Sequence, residues 1–289
     1  MATELVTKFS SYVDEQFSTE SKKALLTNKD FDWSGAHTVK VYKALTAKMG
    51  DYDRDGSTLG VDEDSKKVKI SRYGLFQGLE ATTEELTLKK DRSFSIVTDA
   101  LDEDEKKGVL GSAAVLGRQV REVVIPEVDT YTYGVMCANA GHKPAAVALT
   151  AENIYSEILK GSEALDDAEA PETGRVLVLT PATYTLLKKC PDVAVETDIG
   201  NELRLLGVLA MLDGCKVVKV PANRLPAGFG FMIAHPCATV APTKLEQYNV
   251  HRNPPGISGY LLEGRVCYDA FVLDNKKDAI YYQAMPTEG

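Results

Sequence analysis

Residues 38–100 read TVKVYKALTAKMGDYDRDGSTLGVDEDSKKVKISRYGLFQGLEATTEELTLKKDRSFSIVTDA, and this stretch decides the fold. Val39 and Val41 alternate with polar neighbours, as do Val68 and Ile70 in KKVKIS and Phe94 and Ile96 in RSFSIV. Period-two alternation puts successive side chains on opposite faces of a strand. Between these strand signals lie two turn-rich, charge-rich pieces, GDYDRDGSTLGVDEDSKK (50–67) and QGLEATTEELTLKKDR (77–92). The segment holds too few large apolar residues for a core of its own. A two-stranded ribbon alone is marginal in water. It needs a surface to lie on, supplied either by the rest of the chain or by a neighbouring subunit.

Upstream, residues 1–35 are polar, with Leu5, Val6, Phe9, Tyr12, Val13 and Phe17 spaced by three to four residues. That spacing predicts a short amphipathic helix. SKKALLTNKDFDWSGAH (21–37) follows as an extended arm that cannot bury its few apolar groups against itself. Downstream, Asp102 or Asp104 can cap a helix. Val109, Leu110, Ala113, Leu116, Val120, Val123 and Val124 give that helix one apolar stripe. Pro126 stops this helix or bends it, and can open a second helix ending at Gly141.

Residues 145–240 read as an α/β block. Thr150 can cap a helix through Ile154, Ile158 and Leu159. RVLVL (175–179) is a buried strand by its unbroken apolar run. Thr180-Pro181 is a helix start, cap residue then proline. KVVKV (216–220) and GFGFMIA (228–234) are further strands. The last part is expected to be a hairpin: Val266, Tyr268, Ala270 and Val272 alternate, 274–277 turn, and Ile280 and Tyr282 return.

Composition narrows the function classes. The chain has 289 residues, 44% apolar and 26% charged, with a formal net charge of −9. No run approaches the ~20 apolar residues of a membrane helix, and MATELVTKFSS lacks the basic start and apolar stretch of a signal peptide. A protein without membrane association, made and kept in the cytoplasm, is the expectation. Cys137, Cys190, Cys215, Cys237 and Cys267 are scattered and odd in number, which predicts buried, reduced thiols. The negative charge argues against a nucleic-acid reader, which needs a basic surface. It suits the wall of a container, where weak repulsion keeps the cargo from sticking.

Candidate chemistry is sparse. In DYDRDGSTLGVD, Asp51, Asp53, Asp55 and Gly56 stand at positions one, three, five and six of a calcium-loop pattern, with Asp62 at twelve. Thr58 replaces the aliphatic of position eight, the flanks read as strands, and there is no second copy, so a hydrated acidic loop tip competes with a metal site. His235 and Cys237 (HPC) supply two ligands where zinc needs four. No G-x-S-x-G elbow, phosphate loop or G-x-G-x-x-G fingerprint occurs. No catalytic residue and no cofactor are expected. The rivals from other classes are a calcium-binding module and a small cytosolic enzyme built on the α/β block.

Four stretches, in this order and spacing, carry a resemblance: KKDRSFSIVTDALDEDE (89–105), GRQVREVVIPEVDTY (117–131), VVKVPANRLP (217–226) with GFMIAHPCATVAPTKLE (230–246), and GRVCYDAFVLDNKKDAIYY (264–282). The chain resembles the major capsid (coat) proteins of tailed bacteriophages, of the Hong Kong ninety-seven phage type, over most of residues 38–284. The resemblance implies an α+β fold in five parts: an N-terminal arm (1–37), an extended β-hairpin loop (38–100), a peripheral domain with a long spine helix (101–141), an inserted α/β axial domain (142–240) and a return to the peripheral domain (241–289). It implies hexamers and pentamers that form an icosahedral head shell around double-stranded DNA, bound without sequence specificity. The protein would assemble in the host cytoplasm and reside in the virion. Implied partners are the chain itself, a separate scaffolding protein, a portal and a decoration protein. A nanocompartment shell of the same fold is the near alternative. No crosslinking or catalytic residue is carried over, because no motif here matches one. Arg54, Arg72, Lys89, Lys90 and Arg92 are the expected inter-subunit cations, facing acids such as Glu103 and Glu105 of a neighbour.

Overall fold

The computed structural model describes residues 21–28, 38–44, 49–55, 60–62, 67–69, 71–73, 81–100, 112–191, 193 and 211–286. The expected N-terminal helix and the caps at Asp102 and Asp104 lie outside the described residues. The chain divides into two compact units: Ala36–Thr87, and Met1–Gly35 together with Leu88–Gly289.

The smaller unit is built of ribbons. β1 (Thr38–Ala44) pairs antiparallel with β4 (Ala81–Thr87), and the short β2 (Gly60–Asp62) pairs with β3 (Lys67–Lys69). β4 is a strand where the sequence reads as turn-rich and charged. Its charges are what pair it: Lys40 meets Glu85 at 2.6 Å and Lys43 meets Glu84 at 3.2 Å, and Thr38 and Thr87 hydroxyls lie 3.0 Å apart. Opposite charges directly across an antiparallel pair favour that register. Among the described residues, Leu86 is the one apolar side chain of this unit that is buried.

In the larger unit, β5 (Lys90–Asp99), β11 (Thr243–Arg252) and β12 (Gly259–Tyr268) form a three-stranded antiparallel sheet with β12 central. β5 therefore belongs to the body, and the loop unit ends at Thr87, short of the boundary expected at residue 100. Phe94 lies over Gly264 across the ladder, where a Cβ would collide with the ring.

The helix before Pro126 does not stop there. α1 (Ser112–Gln119) runs through a π-turn (Val120–Val124) into α2 (Ile125–Asn139). The Ile125 N–H reaches back five residues to the Val120 carbonyl. A proline inside an α-helix lacks its N–H donor and crowds the carbonyl four residues earlier. The wider π-turn accommodates both defects, so the axis continues.

The remaining elements form three layers. β6 (Val176–Leu179) is the centre of a five-stranded sheet ordered β14, β9, β6, β8, β7. The others are β7 (Met211–Leu212), β8 (Cys215–Lys219), β9 (Phe229–Ala234) and β14 (Ile280–Ala284). β10 (Thr239–Val240) and β13 (Phe271–Val272) make a small separate pair. Val176 and Val178 face one way, packing with Tyr133 and Met136 of α2. Leu177 and Leu179 face the other way, packing with Ile154 and Ile158 of α3 (Ile154–Asp167) and Leu187 of α4 (Pro181–Lys189). Both faces of β6 are covered, which is why its run is wholly apolar. Parallel strands need a crossover, and α4 supplies it between β6 and β8. Thr180 caps α4 by accepting from the Thr183 N–H, as expected. α3 starts at Ile154, without Thr150 as its cap; Asn153 Oδ1 accepts from the Thr150 N–H instead.

Two expectations fail at the termini. The closing hairpin does not form: β12 pairs with β11 and β5, while β14 pairs with β9. The six residues Asp274–Ala279 make a 3₁₀ helix rather than a tight turn, and it carries the chain to another sheet. The end of the expected return segment 241–289 thus lies in the sheet of the α/β block. The arm is also not wholly extended. Lys23–Leu25 form a 3₁₀ turn, Leu26 is 0% exposed, and Asn28 bridges to Val240 while its Nδ2 donates to the Cys237 carbonyl. Residues 21–28 are a strap whose apolar group is buried on the body. Leu26→Ala should therefore destabilise the protein by about 2–5 kcal/mol, the range for truncating a fully buried leucine. Urea unfolding would measure it; a loss near zero would mean the strap is not held.

Candidate functional site

Three carboxylates gather the segments of the larger unit. One turn of α2 presents Glu127 and Tyr131, four residues apart, on the face toward the three-stranded sheet, and Asp129 toward the α/β block. Asp129 Oδ1 accepts from the Ser21 hydroxyl at 2.6 Å, and Oδ2 accepts from Arg224 Nη1 at 2.9 Å. The two charged side chains are 1% and 5% exposed. Arg224 sits on a single 3₁₀ turn, Ala222–Arg224, that follows Pro221. Strap, α2 and the VPANRLP turn are thus tied at one point. Tyr133, one turn along, is fully buried beside this pair, and burial pushes its phenol up.

Asp269, in the turn after β12, is also buried. It accepts from the Lys89 N–H at 2.8 Å, the Tyr131 hydroxyl at 2.8 Å and the Ala270 N–H at 2.8 Å. Three donors stand in for the lost water. Burial first, then the bond to Asp269, pushes the Tyr131 phenol up to about 12. Glu127 Oε1 accepts from Arg92 Nε at 2.8 Å and from the Tyr268 hydroxyl at 3.2 Å. The Tyr131 and Tyr268 rings meet edge to face at 5.8 Å, and Lys90 Nζ lies 4.9 Å over the Tyr131 ring. The sequence marked the stretches holding these residues but not their pairings. The one readable signal was the Glu127–Tyr131 helical spacing.

Of the expected inter-subunit cations, Arg92 has an in-chain partner in Glu127, Lys90 lies over Tyr131, and Lys89 is anchored through its backbone. Arg54 and Arg72 are exposed in the smaller unit, where the Asp53 N–H donates to the Arg72 carbonyl at 2.9 Å and Tyr52 meets Tyr73 at 5.0 Å. Glu103 and Glu105 lie outside the described residues. Asp51 and Asp55 are exposed, Asp53 is half-buried, and Asp62 stands in β2. Among the described residues, no group of three or more His, Cys, Asp or Glu is placed to hold a metal. His235 caps the 3₁₀ turn Pro236–Ala238 by accepting from the Cys237 N–H at 3.2 Å. Cys137, Cys190 and Cys215 are buried; Cys237 and Cys267 are partly exposed, contrary to the expectation of burial for all five. Among the described residues, no helix is long and apolar enough to cross a membrane.

No family model matches the sequence, and no curated protein is similar to it. Solved structures share its fold along nearly the whole chain. A chain of Mycobacterium phage Che8 overlays with a TM-score of 0.79 at 16% identity, covering 97% of both chains. A chain of the capsid of cyanophage P-SCSP1u overlays with a TM-score of 0.74 at 12% identity, covering 99% of this chain and 94% of that one. A chain of the mature capsid of bacteriophage PhiM1 gives 0.69 at 14% identity, covering 99% and 93%. The fold is one that phage capsid chains adopt.

Asp129→Ala removes the buried carboxylate to which both Ser21 and Arg224 are bonded, and should cost about 3–5 kcal/mol in urea unfolding. Asp129→Ala with Arg224→Met should cost less than the single change, because no buried charge then loses its ion-pair partner. Alkaline pH provides a second check. The Tyr131 and Tyr268 phenols are both raised to about 12, so their contribution is complete below the ordinary tyrosine value of about 10 and is lost as pH rises through 12. The denaturation midpoint should fall across that window, and less steeply in Tyr131→Phe.

Proposed function

We propose that this chain is the major capsid protein of a tailed bacteriophage, with the shell fold of the Hong Kong ninety-seven type, and that it acts by self-association, without catalysis. The observation that carries the proposal is the overlay with phage capsid chains from end to end, in both directions of coverage. At 12–16% identity what persists is the backbone path. A path that includes a ribbon unit with one buried apolar side chain among its described residues suits a subunit completed by its neighbours.

In this proposal residues 1–37 are the arm, the loop from 38 to Thr87 laps onto adjacent copies, 101–141 form the spine, and 142–240 cluster at the centres of hexamers and pentamers. Exposed Arg54 and Arg72 of the loop face acids of the next copy, Glu103 and Glu105 among them. Each copy buries surface on several others, and modest pairwise contacts sum to a closed icosahedral shell. The shell encloses double-stranded DNA, and its acidity keeps the cargo from adhering. A scaffolding protein, a portal and a decoration protein complete the set of partners, and the finished protein resides in the virion after assembly in the host cytoplasm.

Purified protein should form capsomers, tubes or closed shells in negative stain. A lone monomer or dimer at every concentration would overturn the proposal, and shells from the native source that hold an enzyme rather than DNA would point to a nanocompartment. Replacing residues 45–80 with a short Gly–Ser linker, which spares Leu88 and the Lys89 anchor, should leave folded, soluble protein by circular dichroism that closes no particles.

A further inference from the structure

The two edges of the five-stranded sheet carry opposite charge. Beside β8, the strap, the start of α4 and the strand itself line a groove of about 530 Å³. Its lining includes the apolar Leu25, Pro181 and Val217 and the basic Lys22, Lys216 and Lys219. Lys216 and Lys219 are exposed, and the Lys219 ammonium lies 4.6 Å from the Tyr184 ring centre. β7 pairs only with Cys215 and Lys216, so among the described residues no strand lies along Val217–Lys219 on the side away from β6.

At the β14 edge the surface is acidic. α3 packs there through Gly161, which sits against Ile233 and Tyr281. Residues 152–172 hold seven acids and one lysine, and that lysine, Lys160, is paired with Glu157 at 2.7 Å. Leu159, Glu163 and Asp167 recur every fourth residue and so form one outward stripe. All three are exposed, Leu159 to 38%. The stripe offers one apolar knob followed by two carboxylates. The groove offers apolar side chains and ammonium groups.

We infer that the α3 stripe of one copy docks in the lysine-lined β8 groove of the next, Leu159 against its apolar residues and Glu163 and Asp167 against Lys216 and Lys219. An amphipathic helix in a groove is a common recognition mode. The two surfaces differ and lie at opposite edges of the sheet, so the contact is head to tail, and repetition of such a contact closes a ring when the rotation allows. The inference rests on the shell proposal and names the faces that join its capsomers.

Charge reversal tests it in the full chain. Lys216→Glu with Lys219→Glu, and separately Glu163→Lys with Asp167→Lys, should each cut the assembled fraction by at least about tenfold, the scale of like charges facing across an interface. All four changes in one chain should restore most of the assembly. Unchanged assembly in either double variant, or no restoration in the quadruple one, would overturn the inference. A photoreactive residue in place of Lys216 gives a readout that does not depend on how the variants fold. Its crosslinks in assembled protein should map to residues 156–169 of a second copy. Crosslinks to any other segment or protein overturn the contact while leaving the shell proposal standing; wild-type protein that never assembles removes both.

Discussion

A carboxylate shut away from water must be met by donors or by a cation, and it accepts few geometries. Asp129 and Asp269 impose this condition at the two places where the larger unit is joined. Apolar packing alone would tolerate small slides between layers, because it has no direction. The bonds from Ser21 and Arg224 to Asp129, and from Lys89 and Tyr131 to Asp269, have direction and length. The buried ion pair need not add stability over a well-packed apolar substitute. What it fixes is which segments meet: the strap, α2 and the turn after β8 converge on one carboxylate.

The apolar layers are less exacting than these carboxylates. Layers built of interchangeable apolar residues drift freely so long as volume and pattern persist. Val176 to Leu179 could be exchanged for other branched residues without altering the sheet. Identity falls to 12–16% while the backbone path is kept.

Much of the α/β block was legible in the sequence because its signals are local. The unbroken apolar run of β6, the Thr180-Pro181 start of α4 and the strands β8 and β9 appear where pattern places them. What was not legible depends on distant partners. β4 has one buried apolar residue and is a strand because β1 lies opposite with matching charge. The period-two pattern of Ile280 and Tyr282 specifies a strand but not which sheet receives it. The π-turn is invisible to a helical wheel, since Val120, Val123 and Val124 fit the apolar stripe whichever turn they adopt. Of the candidate site, charge and exposure in the loop were readable, and Arg92 lay among the expected cations. Its partner on α2 is 35 residues away, and nothing local announces it.

The strap also sets an order on folding. Ser21 and Asn28 dock on Asp129 and Cys237, 108 and 209 residues further along the chain. Contacts of such sequence separation form late, after the loop-closure entropy has been met. The pocket of Leu26 is completed by Ala238 and Ile280, so its burial waits on contacts far along the sequence. A segment fastened by partners so distant takes its final place only after the fold around it has formed.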